Sequence, residues 1–295
     1  MKHQRELLKN SLWKGLSQIL LIVVNLLSIP AITHYLGIEK FGLLMIVKLF
    51  STDGLLSFFE LGMQSSLARN LPKDLSDGNH EQVRKIFWSF LWTAFLVGLL
   101  CAAGVMLIGG LVIHQMSLTE SQMQELTSLL PFVSLGLLFG YGQFVIFGLM
   151  DGTRQFGFQS VMEFGNSALT AIFFLILAFQ KAPLSWFVLA DVLAAFLLFC
   201  FSLYGMVKRY PWLIPSFSQI PGFNRKLLSA YFEDLKMFSS VRLSSVLFHQ
   251  SDRLVIGSLM GPLFVGQFEL IVKLPKVIKM ASSALGATLI PMVSE

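Results

Sequence analysis

Charge is scarce in this sequence. Only 13% of its 295 residues are Asp, Glu, Lys or Arg, against about 25% in an ordinary soluble domain. Hydrophobic residues make up 55%, and the mean hydropathy is +0.70. Such a chain cannot clothe a water-facing surface, which excludes a cytosolic enzyme and a disordered protein. Cysteine is nearly absent: Cys101 and Cys200 both sit inside apolar segments, which excludes a disulfide scaffold and reads them as small hydrophobes. The five histidines, His3, His34, His80, His114 and His249, are scattered without metal-ligand spacing. Neither G-x-x-x-x-G-K-S/T nor G-x-G-x-x-G follows a strand, so no metal, nucleotide or other cofactor is expected. The net charge of +5 lies in short basic clusters between apolar runs, and nothing resembles a soluble fold that could hold a nucleic acid.

What is present is hydrocarbon-length apolar sequence. A helix crosses a core roughly 30 Å thick with about 20 apolar residues. Candidate spans run from about Leu12 to Leu36, Phe41 to Leu71 (interrupted by Lys48, Asp53 and Glu60), Ile86 to Ile113, Leu126 to Met150, Phe156 to Phe179 and Leu184 to Val207. After the proline-punctuated stretch Pro211, Pro215, Pro221, an amphipathic segment from Asn224 leads to a seventh span, Met237 to Leu259. An eighth runs from Gly266 to about Ile290. Lys2, Arg5, Lys9 and Lys14 precede the first span as in a signal peptide, but that span is too long and lacks a small-residue cleavage site, so it reads as uncleaved. The expected fold is all-α: a polytopic membrane bundle of about eight helices.

Basic residues crowd alternate connections. Arg69, Lys73, Arg84 and Lys85 follow span two, Arg154 follows span four, and Lys208, Arg209, Arg225, Lys226 and Lys236 follow span six; the other connections offer only Lys40 and Lys181. This bias places both termini and the basic connections in the cytoplasm.

A short repeat links the two ends of the chain. Leu36-Gly37, Phe41-Gly42 and Ile46-Val47-Lys48-Leu49 are echoed by Met260-Gly261, Val265-Gly266 and Ile271-Val272-Lys273-Leu274. Parallel repeats with a substrate site between them are a common transporter plan. On that plan residues 1–210 form a first six-helix lobe, 211–236 a cytoplasmic connection, and 237–295 the first two helices of a second lobe. Two helices cannot enclose a cavity, so the chain is expected to be part of a longer protein.

A charge at the centre of a spanning helix costs roughly 2.5–3.5 kcal/mol on insertion scales. Arg242, His249 and Arg253 fall within about 40° of one another at 100° per residue. Lys273, Lys276 and Lys279 fan across about 120°, with Lys276 some 15 Å deep; Lys48 stands about 10 Å into span two. Internal pairing is the alternative: Glu269 can reach Lys273 at i,i+4, and Asp53, Asp191 and Asp252 can neutralise other cations. Cations still outnumber acids in spans seven and eight, which points to an anionic substrate such as a phosphate group. Glu60 and Arg69, at the end of span two, read as a gate pair or as a solvated helix end. Asp53 and Asp252 join them as gating or coupling candidates.

Leu36-Gly37 with Phe41-Gly42, then Glu60-Leu61-Gly62-Met63 and Arg69, resemble the opening of bacterial polysaccharide-export flippases. So does Asp252-Arg253-Leu254-Val255-Ile256-Gly257 with Gly261 and Gly266. These are the lipid-linked oligosaccharide translocases of the multidrug/oligosaccharidyl-lipid/polysaccharide exporter superfamily. The resemblance implies twelve to fourteen helices in two lobes, alternating access, residence in the bacterial inner membrane, and a cationic cavity for the diphosphate-sugar head of a polyprenyl lipid. Membrane lipids, a polysaccharide polymerase and chain-length proteins are the partners it implies. The chain departs from that pattern by ending after the eighth span. A cation-coupled drug exporter of the same superfamily would instead use Asp53, Glu163 and Asp191. A glycan polymerase or ligase would need a sizeable outward loop, which the sequence lacks.

Overall fold

The computed structural model describes residues 20, 23–24, 28–214, 231–272 and 275. Among them all regular structure is helical. That is the form a lipid-embedded backbone requires, because each N–H and C=O must find its partner within the segment. Residues 28–36 form α1. After Gly37 come α2 (Ile38–Lys48), a 3-10 segment (Leu55–Glu60) and α3 (Met63–Ser76). Four long helices follow: α4 (His80–His114), α5 (Glu120–Gly152), α6 (Phe156–Phe179) and α7 (Leu184–Arg209). A short 3-10 turn at Pro211–Leu213 precedes α8 (Phe232–Leu259) and α9 (Pro262–Val272).

Helices α4 to α7 are each long and apolar enough to cross a membrane, and they cover expected spans three to six. α4 presents an outward row that includes Leu99, Leu107 and Leu111, with Leu107 78% exposed, as a lipid-facing surface does. Its inner face packs along α5. α5 starts at a capping box in which Thr119 Oγ1 accepts from the Gln122 N–H and the Thr119 N–H donates to Gln122 Oε1. Close to its far end α5 lies almost backbone-to-backbone on α3. A Cβ at Gly148 would stand 2.9 Å from the Gln64 carbonyl oxygen, and one at Gly152 2.9 Å from Leu71 Cβ. Small residues permit this approach where side-chain burial supplies little drive between helices in lipid.

Span two, expected as one helix from Phe41 to about Leu71, is instead broken in the middle. α2 stops at Lys48, and the next bonds tighten to i→i−3, with Leu49 N–H on Ile46 O at 3.0 Å and Gly54 N–H on Ser51 O at 3.0 Å. Ser51-Thr52-Asp53-Gly54 is turn chemistry. At the other end of the 3-10 segment, Leu61 (φ 54°) and Gly62 (φ 69°) both enter the left-handed region. Side chains satisfy the carbonyls freed by the break: Tyr141 Oη donates to Leu56 O at 2.6 Å, Ser57 Oγ to Gly54 O at 2.8 Å, and Gln250 Nε2 to Asp53 O at 3.0 Å.

Span seven begins earlier than its apolar content indicated, because α8 already starts at Phe232. Span eight likewise starts at Pro262 rather than Gly266. Most of span one, residues 215–230 of the connection and the remainder of span eight lie outside the described residues.

Candidate functional site

The break in span two gathers the charges. Lys48, the last residue of α2, reaches across to α7, where its Nζ lies 3.1 Å from Asp191 Oδ1; both side chains are half-buried. The same ammonium stands 5.4 Å from the centre of the Phe174 ring on α6. Beside this pair is a cavity of about 250 Å³ whose polar lining comes from Ser28, Asp53, Asn166, Ser167 and Thr170. A smaller cavity of about 80 Å³ adds Ser51 and Thr52. Asn166 Oδ1 is buried there without a hydrogen-bond partner.

Farther along the chain, Glu60 is buried at the end of the 3-10 segment. Its Oε1 accepts from the Gln64 N–H at 3.2 Å, and its Oε2 stands 3.5 Å from Arg242 Nε, an ion pair without hydrogen-bond geometry. The Arg242 guanidinium also lies 5.9 Å from the Phe144 ring centre. Gly62 makes this closeness possible, since a Cβ there would fall 2.4 Å from Phe238 Cβ on α8. In the middle of α3, Arg69 Nη1 donates to Asp234 Oδ1 at 2.9 Å and Asn70 Nδ2 to Asp234 Oδ2 at 2.6 Å. Arg253 forms a two-pronged bond with Glu269 of α9: Nε to Oε1, and Nη2 to Oε2 at 2.9 Å.

The structure thus strings Lys48, Asp53, Glu60, Arg69, Arg242 and Arg253 along one joint between the broken span and α7, α8 and α9, from Arg253 with Glu269 at one end to Arg69 with Asp234 at the other. Four of these six are salt-bridged cations, and each has its own acid. Glu269, which the sequence offered to Lys273, grips Arg253. Asp252 is exposed on α8 and forms no ion pair among the described residues. Lys273, Lys276, Lys279 and the side chain of His249 lie outside the described residues. The anchoring acids Asp234 and Glu269 and the cavity amide Asn166 were not singled out as site residues from sequence. No local pattern marks them: Asp234 looks like an ordinary first-turn acid of α8, and only packing pairs it with Arg69. A separate apolar crevice of about 610 Å³ between the 3-10 segment and α4 carries no charged side chain.

Long apolar helices around a span broken between its ends, with charges held at the break, define a polytopic membrane helix bundle. Solved structures agree. One described as the MATE multidrug transporter DinF-BH, in complex with a ligand, superposes with a TM-score of 0.69 at 15% identity, covering 98% of this chain and 64% of that one. Another, described as a transporter of the multidrug/oligosaccharidyl-lipid/polysaccharide exporter superfamily from Pyrococcus furiosus with a binding pocket of reverse polarity, gives 0.65 at 13% identity, over 96% and 64%. The chain spans just under two thirds of the length of each. No curated protein matches the sequence. The chain belongs to the polysaccharide biosynthesis protein family, whose match runs over residues 7–295.

Proposed function

We propose that this protein moves a polyprenyl-diphosphate-linked oligosaccharide from the cytoplasmic to the outer leaflet of a bacterial inner membrane, by alternating access between two lobes. On this reading residues 1–210 form the first lobe, 237–295 open the second, and both termini are cytoplasmic. The protein makes and breaks no covalent bond; a polymerase and chain-length proteins would take over its product.

The observation that carries the reading is the state of the cations at the joint. Lys48, Arg242 and Arg69 each hold a single carboxylate, and Arg242 and Arg69 remain substantially exposed. A diphosphate presents more oxygens and more charge than a carboxylate, so it can displace Asp191 from the Lys48 ammonium, or Glu60 and Asp234 from the guanidinium groups of Arg242 and Arg69, which it can then engage through two nitrogens. The paired state is then the resting state, because it spares the cations an uncompensated stay away from water. The expected cavity ligands Lys273, Lys276, Lys279 and His249 belong to the same proposal.

In a host lacking its own copy, the Lys48→Ala/Arg242→Ala variant should insert at normal levels and abolish surface polysaccharide. Unchanged polysaccharide would sink the assignment.

A cation-coupled drug exporter is the second reading. The polar cavity beside Asp53, Asp191 and Asn166 favours it, as does the likeness to a multidrug transporter fold. Altered drug susceptibility with intact polysaccharide in the same variant would select it.

A further inference from the structure

The repeat seen in the sequence has a physical counterpart. Its first glycines share a positive φ, Gly37 at 85° and Gly261 at 84°. Its second glycines, Gly42 and Gly266, face each other. A Cβ on Gly42 would lie 1.8 Å from the Pro262 carbonyl oxygen and 3.1 Å from the Gly266 nitrogen. One on Gly266 would lie 2.4 Å from the Ile38 carbonyl oxygen and 3.3 Å from the Gly42 nitrogen. Ile38 follows Gly37 as Pro262 follows Gly261, so the contact is reciprocal. Each helix sets its second glycine against the carbonyl of the other's first residue. Reciprocity of this kind marks a two-fold relation, here between two segments of one chain.

We infer that this glycine-on-carbonyl contact is the outer seal of the transport path, closed about a local two-fold axis between Gly42 and Gly266. The inference rests on the alternating-access reading and on the basic-residue bias that assigns this end to the outside. Three features support it. The contact is backbone against backbone, so two rigid helix starts can part and rejoin without repacking side chains or exposing a charge. The α4–α5 turn reinforces the same end, with the Ser117 N–H on Gly257 O at 3.2 Å and Ser117 Oγ on Ser258 O at 2.8 Å. At the opposite end the tie is ionic and wet: Arg69, 58% exposed, on Asp234. An anionic substrate competes for that inner tie and has nothing to compete for at the glycines, so the two ends answer to different triggers.

The test uses the full chain with Cys101→Ser and Cys200→Ser and a reporter, Gln250→Cys, carried by every variant so that the lost cap on the Asp53 carbonyl is common to all of them. That position lies eleven residues from Gly261, roughly 16 Å below it, against the Asp53 carbonyl. A membrane-impermeant maleimide is added to intact cells. Labelling should be low with both glycines present. It should rise several-fold in Gly42→Val and equally in Gly266→Val, and no further in the double variant, because either wedge alone already parts the contact. Gly110→Val, whose Cβ would meet nothing within 4 Å, should leave it low. Low labelling in both glycine variants at normal membrane levels would overturn the seal, and clearly unequal labelling would overturn the two-fold relation. If a valine variant fails to reach the membrane, Gly42→Ala and Gly266→Ala carry the same comparison. The readout needs no substrate, so its failure leaves the glycan assignment untouched, and loss of that assignment leaves the seal standing.

Discussion

Arg253 and Glu269 show what a charge costs and gains in this protein. Their side chains are 12% and 1% exposed, so neither can be compensated by water. Their two-pronged bond offsets the desolvation of both, and removing one partner strands the other. Glu269→Ala should therefore lower stability by about 3–5 kcal/mol, read as a fall in thermal unfolding temperature in detergent. The Arg253→Leu/Glu269→Leu double variant should recover most of that loss, because two apolar groups leave no orphaned charge. Sequence depth alone located the cations, since an ionised group in an apolar run is a local anomaly. It offered Asp191 as a neutralising acid without saying which cation it holds, and it gave no sign of Asp234 as one. Lys48 and Asp191 are 143 positions apart and Arg69 and Asp234 are 165 apart, and helix packing alone decides such pairings.

Among the elements, the broken second span is the least legible. Its three charges marked it as unusual, yet the hydropathy of the whole stretch read as one helix. Averaging over a span-length window hides a four-residue turn. The break depends on what surrounds it: Tyr141 and Gln250 cap its free carbonyls from α5 and α8, and Gly62 allows both the left-handed turn and the approach of Phe238. Gly62→Ala meets both obstacles at once and should cost about 1–3 kcal/mol. Gly165→Ala in α6, at an ordinary helical position where a Cβ meets nothing within 4 Å, should be neutral or gain up to about 1 kcal/mol of helix propensity. Thermal unfolding of the two variants side by side checks the contrast. The four unbroken spans α4 to α7 were legible because each is a long, predominantly apolar run that stays helical throughout, even across Pro131 in α5.

For the whole molecule, lipid is the solvent around which the chain is arranged. α4 turns Leu99, Leu107 and Leu111 outward, and connections alternate between strongly basic and nearly free of Lys and Arg. The basic-residue bias expects the Gly78 turn inside and the Ser117 turn outside. Alkaline phosphatase should thus be active when fused at Ser117 and inactive at Gly78, and the reverse pattern would invert every statement about sidedness. Architecture at this scale also gives the repeat its meaning. Two short words of sequence, far apart in the chain, place their glycines against each other.

Composition and hydropathy were enough to establish a membrane bundle and its main spans, because matching a helix to hydrocarbon is local and additive along the chain; short motifs such as Glu60-Leu61-Gly62-Met63 carried the family resemblance. Three things needed the folded molecule: where span two breaks, which acid each buried cation holds, and that Gly42 meets Gly266. Each depends on groups brought together from distant segments, and the energy of a desolvated charge or a backbone contact exists only once both sides are in place.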